Sequence, residues 1–255
     1  MDIILYNIGF AILCLIIGYL CGSIPNGIWI GKIFFHKDPR DFGSKNSGGT
    51  NVGRVFGKKF GALVIVLDVM KMVLPLYCVW AILVRVPMYN DLPLVPKVAK
   101  FAFGEDISGY AIQWPVYYMV CIGAVIGHCY PIFAQFKGGK AVAVFYGIAI
   151  GTSWLFGVVP MLFFILILKI KKIVSVASLA SSWFAVLLSW IWTILILTGV
   201  IKGSNFWLPG YGPSVQFGYV YSITLTFAAI VLTIRHKANI KRLIAGEENK
   251  IKWMK

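Results

Sequence analysis

Apolar runs and short polar islands alternate along the whole chain. The runs extend from Ile3 to Trp29, Phe60 to Val84 (interrupted by Asp68 and Lys71), Ala111 to Phe136, Ala141 to Leu168, Ile173 to Ile201 and Val215 to Ile234. A hydrocarbon core of roughly 30 Å takes about 20 helical residues to cross, and each run is long enough. Backbone groups in lipid find no water, so they must be satisfied within the segment, which predicts helices. As a single span, the run after Lys140 would put Lys140 and Lys171-Lys172 on opposite sides. Two short helices turning near Gly151-Thr152-Ser153 keep those cations together. The pattern therefore predicts an all-α integral membrane protein of about seven transmembrane helices, with its N-terminus outside and its C-terminus cytoplasmic.

Composition agrees with a membrane chain. Its 255 residues are 59% hydrophobic and only 13% charged, where soluble domains carry about 25% charged residues. The net charge of +15 would suit nucleic acid, but the cations are sorted by loop. They gather at 32–59, 137–140, 169–172 and from Arg235 onward, while 85–113 and 202–215 hold only Arg85, Lys97, Lys100 and Lys202. Such sorting is an orientation signal and places the basic segments in the cytoplasm, with no nucleic-acid partner expected. Asp2 stands where a cleaved signal peptide would have a basic residue. The five cysteines lack metal-ligand spacing and read as packing residues. Without an internal repeat or a soluble segment, residues 1–255 read as one polytopic membrane domain.

The polar islands share one chemistry. They are "DPRDFGSKNSGGTNVGR" (38–54), "GHCYPIFAQFKGGKAVAV" (127–144), "RHKANIKRLIAGEENK" (235–250) and the shorter "KKIVSVAS" (171–178). Hydroxyls, amides, glycines and cations dominate, and carboxylates are few, which suits an anion. Glycine lets backbone N–H groups approach a ligand, so Gly138 and Gly139 with Lys137 and Lys140 predict a phosphate cradle ahead of a helix. A Walker A loop is excluded, because Ala134 and Ala141 stand where its first glycine and its hydroxyl residue belong. Topogenic cations and turn-forming glycines are the plain alternative for any one island; several islands expected on one face favour a single polar site.

These islands resemble the motifs of the bacterial acyl-phosphate:glycerol-3-phosphate acyltransferases, the PlsY family. "GSKNSGGTNVGR" keeps the family's Ser44, Asn46, Gly48, Thr50, Asn51 and Arg54, with Lys45 replacing a glycine and Gly49 an alanine. The second motif is met by Gly127, His128, Pro131, Phe133 and Phe136 to Lys140, with Ala141 replacing a glycine and Val144 a threonine. Arg235, His236, Asn239, Ile240, Arg242 and Leu243 match the third, Gly246 and Glu248 follow, and "SVAS" supplies Ser175. The resemblance implies transfer of an acyl group from acyl phosphate to the 1-hydroxyl of glycerol 3-phosphate, giving lysophosphatidate and phosphate. It implies a bacterial plasma membrane and its lipid as the surroundings, an active site facing the cytoplasm, and neither cofactor nor metal.

On that reading Ser44, Arg54, Lys140, Ser175, His236 and Asn239 are the catalytic candidates. Asn46, Gly48, Thr50, Asn51, Lys137, Gly138, Gly139, His128, Arg242 and Glu248 are candidates for binding substrate phosphates. Asp68 and Lys71, three apart in a predicted span, read as a structural ion pair. His36 and Asp41 imitate the His-x-x-x-x-Asp dyad of thioester-dependent acyltransferases, but that family's partner motif is absent and the dyad is taken as chance. The rival function is an organic-anion transporter or channel, which would need polar residues deep in the spans.

Overall fold

The computed structural model describes residues 3–85, 116–198, 200 and 219–251, and every regular element among them is helical. Helix α1 (Ile3–Gly22) meets α2 (Asn26–Phe35) across a break at Pro25, which has no N–H to continue the helix. A 3-10 turn at Pro39–Asp41 leads to α3 (Gly49–Val55) and the long α4 (Lys58–Arg85). Then come α5 (Tyr118–Cys129), a 3-10 turn (Ile132–Ala134), α6 (Val142–Thr152), α7 (Trp154–Lys171) and α8 (Val174–Leu197). They are followed by α9 (Tyr219–Arg235) and α10 (Lys237–Ile244).

Small residues decide which helices touch. α1 and α5 form the most extensive pair, and each brings two glycines four residues apart, hence on one face: Gly18 and Gly22, Gly123 and Gly127. A Cβ on Gly18 or Gly22 would strike the backbone of Val120 or Ala124, and one on Gly123 or Gly127 that of Leu15 or Tyr19. Where lipid removes the hydrophobic drive between helices, such close approach supplies the contact. α8 and α9 use indole-to-hydroxyl bonds instead. Trp183 Nε1 donates to Thr233 Oγ1 at 3.1 Å and Trp190 Nε1 to Thr226 Oγ1 at 3.0 Å. The pairs run in opposite senses along the two helices, so these are antiparallel. Met72 and Leu76 of α4, Val120 of α5, Phe145 and Ile148 of α6, and Leu225 and Leu232 of α9 fill the core.

The expected seven transmembrane helices are not what the chain builds. Among the described residues three stretches are long and apolar enough to cross a membrane: Ile8–Phe35, Lys58–Ile82 and Val174–Leu195. A fourth exists only if α9 and α10, bent by 59°, count as one span. The runs starting at Ala111 and Ala141 yield shorter apolar helices, Tyr118–Ala134 and Val142–Thr152. The 11 residues of α6 rise only about 17 Å, well short of a hydrocarbon core. Their apolarity has another cause. Val144, Phe145, Ile148 and Ala149 are wholly buried against neighbouring helices, and a run of apolar residues looks alike whether protein or lipid surrounds it. The orientation of the two termini is read from the sorting of the cations and not from the helix count. The chain remains a multi-pass membrane protein. The break expected near Gly151-Thr152-Ser153 is present, with Ser153 extended (φ −157°) between α6 and α7. The basic-poor segments 85–113 and 202–215 lie outside the described residues, apart from Arg85 at the end of α4.

Candidate active site

A cavity of about 250 Å³ gathers most of the residues singled out from sequence. Ser44, Asn46, Gly48, Thr50, Asn51 and Arg54 reach it from the first island, His128 and Lys140 from the second, and Ser175 from the first turn of α8. His236, Asn239, Arg242 and Glu248 enter from the α9–α10 bend and the segment after it. Lys137, Gly138 and Gly139 do not line it.

The third island is organised by one carboxylate. Glu248 Oε1 accepts from Ser175 Oγ at 3.0 Å and from Asn239 Nδ2 at 2.6 Å, and Oε2 accepts from Arg242 Nε at 2.7 Å. Burial alone would raise the Glu248 carboxyl, but the bonds from Asn239, Arg242 and Ser175 hold it below its ordinary value. Asn239 then offers Oδ1 to Lys140 Nζ at 2.7 Å. Burial draws the Lys140 ammonium down to about 8; Glu248 opposes that shift, while Arg242, Arg54 and Arg235 reinforce it. An anion arriving here would favour the charged form. His236 Nδ1 lies 2.8 Å from Leu232 O. A carbonyl only accepts, so Nδ1 carries the proton and the neutral ring keeps its lone pair on Nε2.

The first island is organised by Asn51, whose buried amide is fully used. Nδ2 donates to the carbonyls of Pro39, Phe42 and Asn46 at 2.7, 3.1 and 2.8 Å. Oδ1 accepts from Ser44 N at 2.7 Å and Ser44 Oγ at 3.1 Å. Asn51 thus shapes the loop that presents Ser44 and has nothing left for a ligand. Asn46 Oδ1 likewise accepts from Gly48 N at 2.9 Å, an Asx turn that leads into α3. Arg54 and Thr50 are exposed at the cavity, and no described residue is paired with the Arg54 guanidinium.

The second island corrects the expected amide cradle. Gly138 N donates to Cys129 O at 3.2 Å and Gly139 N to His128 O at 2.9 Å, so both amides are spent on closing the loop. Arg235 takes the carbonyls, Nε bonding Gly139 O at 3.1 Å and Nη2 bonding Gly138 O at 3.2 Å. Arg40 Nη1 bonds the Lys137 carbonyl at 3.3 Å, while the Lys137 side chain is exposed away from the cavity. The glycines are needed for closeness instead: a Cβ on Gly139 would occupy the His128 ring, and one on Gly138 the His128 carbonyl. His128 accordingly supports this loop from beneath. The two places where the chain departs from the family's glycines, Lys45 (φ 53°) and Ala141 (φ 62°), both adopt the left-handed conformation that glycine takes freely.

Asp68 and Lys71 pair at 2.9 Å, as their spacing implied, and Asn26 Nδ2 also bonds Asp68 at 3.0 Å. His36 and Asp41 do not reach the cavity. The apolar half of the site escaped the sequence reading: Val142, Tyr146, Met161 and Phe164 line the cavity from α6 and α7. Tyr146 is held by its hydroxyl, which donates to Ser181 Oγ at 2.8 Å. Nothing in their residue types separated them from the rest of the spans. Among the described residues, no three of His, Cys, Asp or Glu converge to hold a metal ion.

Residues 12–246 match the sequence profile of the family described as glycerol-3-phosphate acyltransferase. Glycerol-3-phosphate acyltransferases of Staphylococcus aureus strains bovine RF122 / ET3-1 and JH9 are each 33% identical over 244 residues, covering 95% of this chain and 98% of the relative. Two crystal structures of PlsY, an integral membrane glycerol 3-phosphate acyltransferase, share the fold. Its glycerol 3-phosphate form superposes with a TM-score of 0.68 at 28% identity, and its lysophosphatidic acid form with 0.66 at 27%. Each comparison covers 94% of this chain and 95% of the other.

Proposed function

Since the chain belongs to the glycerol-3-phosphate acyltransferase family, we propose that its cavity holds glycerol 3-phosphate beside an acyl phosphate and joins them. The acyl group passes to the 1-hydroxyl of glycerol 3-phosphate, giving 1-acylglycerol 3-phosphate and inorganic phosphate. The observation that carries this reading is the charge balance of the cavity. Its two carboxylates are taken, Asp68 by Lys71 and Glu248 by Arg242, while Arg54 and Lys140 have no carboxylate partner among the described residues. Two phosphate-bearing substrates supply what these cations lack. The lining then turns apolar through Val142, Tyr146, Met161 and Phe164, which suits the first methylenes of an acyl tail.

Acyl phosphate is already activated, so positioning and charge stabilisation suffice without a covalent enzyme intermediate. The glycerol oxygen attacks the acyl carbon, the bond from that carbon to the phosphate oxygen breaks, and the hydroxyl proton passes to the departing phosphate. Arg54 and Lys140 bind substrate phosphate and meet the charge that grows on the leaving group, with the remaining N–H groups of Arg242 assisting. Ser44 and Ser175 give their hydroxyl protons to Asn51 and Glu248, so toward substrate their oxygens accept from glycerol hydroxyls, and Thr50 and Asn46 border the phosphates. His236 Nε2 accepts from a glycerol hydroxyl, and Asn239 orients Lys140. Residues 1–255 act as one domain, since the cavity draws on segments from both ends of the chain. The basic segments 32–59, 137–140 and 235–250 surround or supply the cavity, and their sorting supports a site facing the cytoplasm. The family match leaves the transporter reading without support.

The test is turnover by purified protein. Acyl phosphate and glycerol 3-phosphate should yield lysophosphatidate and phosphate in equal amounts, with no comparable rate from acyl-CoA. Equal rates with a thioester donor, or an isolable acylated serine, would overturn the mechanism.

A further inference from the structure

Glu248 fixes the geometry of the third island, yet it sits in the irregular segment that follows α10, with no helix around it. Gly246 (φ 73°) turns the chain out of the helix, and Glu247 N bonds Arg242 O at 2.8 Å. Three residues beyond Glu248 the same strand of chain is anchored again. The Ile251 side chain is only 6% exposed and packs with Leu168 of α7 and Ala177 of α8, flanked by Phe164, Ile167 and Val174. Its backbone N–H donates to Lys172 O at 2.7 Å, and Lys172 is the left-handed residue that ends α7. The segment is therefore a strap fastened at α10 and at the α7–α8 junction, and Glu248 lies between the fastenings.

A short chain of contacts joins the second fastening to the site. Val174, packed against the cluster that Ile251 forms with Leu168 and Ala177, precedes Ser175, and Ser175 bonds Glu248. Glu248 also bonds Asn239, and Asn239 holds Lys140. We propose that Ile251 is a positioning residue for the acyl transfer: lodged between α7 and α8, it holds the strap so that Glu248 sets the orientations of Ser175, Asn239, Arg242 and, through Asn239, Lys140. The apolar anchor lies outside the cavity and touches no substrate, so its effect on catalysis runs through the carboxylate.

This inference rests on the proposed reaction, but its test is separate, because wild-type turnover stands or falls without it. In full-length enzyme in detergent, Ile251→Ser should lower kcat/KM for glycerol 3-phosphate at least tenfold while the melting temperature stays close to wild type. Ile251→Leu should stay within about twofold of wild type. Glu248→Gln provides the decisive background. If Ile251 acts through Glu248, adding Ile251→Ser to Glu248→Gln should cost less than a further twofold, the signature of coupled residues. Should Ile251→Ser not fold, the same cycle is run with Ile251→Ala. Wild-type kinetics in Ile251→Ser, or losses that multiply fully in the double variant, would overturn the proposal.

Discussion

Asp68 with Lys71, and Arg54 with Lys140, are ionic residues of one cavity and its wall, yet the two sets are arranged in opposite ways. Asp68 and Lys71 side chains are 4% and 6% exposed and lie 2.9 Å apart. Asn26 adds a bond to the carboxylate, and the Ile24 carbonyl accepts from Lys71 Nζ at 2.8 Å. That centre is closed. Arg54 is exposed, and among the described residues Lys140 has only the neutral Asn239 as its bonded partner, with donors to spare. Residue type does not separate a structural cation from a binding one; what each cation has already spent its donors on does. Gly138 and Gly139 teach the same lesson for backbone amides.

The largest expected effect comes from opening the closed centre. Lys71→Ala leaves a buried carboxylate unpaired, which costs about 3–5 kcal/mol, and should lower the thermal unfolding midpoint in detergent sharply. The paired change of Lys71→Met with Asp68→Asn should restore much of that stability, because no buried charge is then left alone. A Lys71→Ala protein as stable as wild type would erase the distinction between the two centres.

Next come losses at the open centre, which should appear in kinetics and not in melting. Removing one charge-assisted bond to phosphate costs about 1.5–3 kcal/mol, so Lys140→Ala should reduce kcat/KM about tenfold or more. The proton on Lys140 sharpens this. With its free-enzyme value near 8, the charged form prevails below that pH and is lost above it. Accordingly kcat/KM should fall about tenfold between pH 7 and pH 9. Lys140→Arg should move that alkaline limb upward, since a guanidinium keeps its proton. A limb that does not move in Lys140→Arg would assign the ionisation to another group.

The smallest effects concern the loops that present these groups. Lys45 and Ala141 hold positive φ, a conformation that costs an ordinary residue about 1 kcal/mol or more. Glycine gives back part of that as unfolded-chain entropy. Lys45→Gly and Ala141→Gly should each stabilise the protein by about 0.5 kcal/mol, read as a rise in unfolding midpoint, with activity retained. Destabilisation by both would mean that their side chains contribute more than the strain removes.

What could be read from the sequence divides along the same physical line. Ser44, Arg54, Lys140, Ser175, His236 and Asn239 stood out because polar residues beside apolar runs are conspicuous, and the structure brings them to one cavity. Val142, Tyr146, Met161 and Phe164 were invisible, because an apolar residue facing a cavity resembles one facing lipid or core. That ambiguity also produced the count of seven spans: α5 and α6 are apolar through burial within the protein. Asn51 and the Gly138-Gly139 amides were legible as polar groups but not as spent ones. Their partners, among them Pro39, Phe42, Cys129 and His128, are set by the fold and carry no mark in the sequence.

Calorimetric titration of glycerol 3-phosphate into the detergent-solubilised protein tests the central claim, that unpaired cavity cations bind substrate phosphate, most directly. The account predicts that Arg54→Ala weakens binding at least tenfold, with an unfolding midpoint close to wild type. Equal affinity in wild type and Arg54→Ala, or a loss of affinity that only follows a loss of fold, would contradict it.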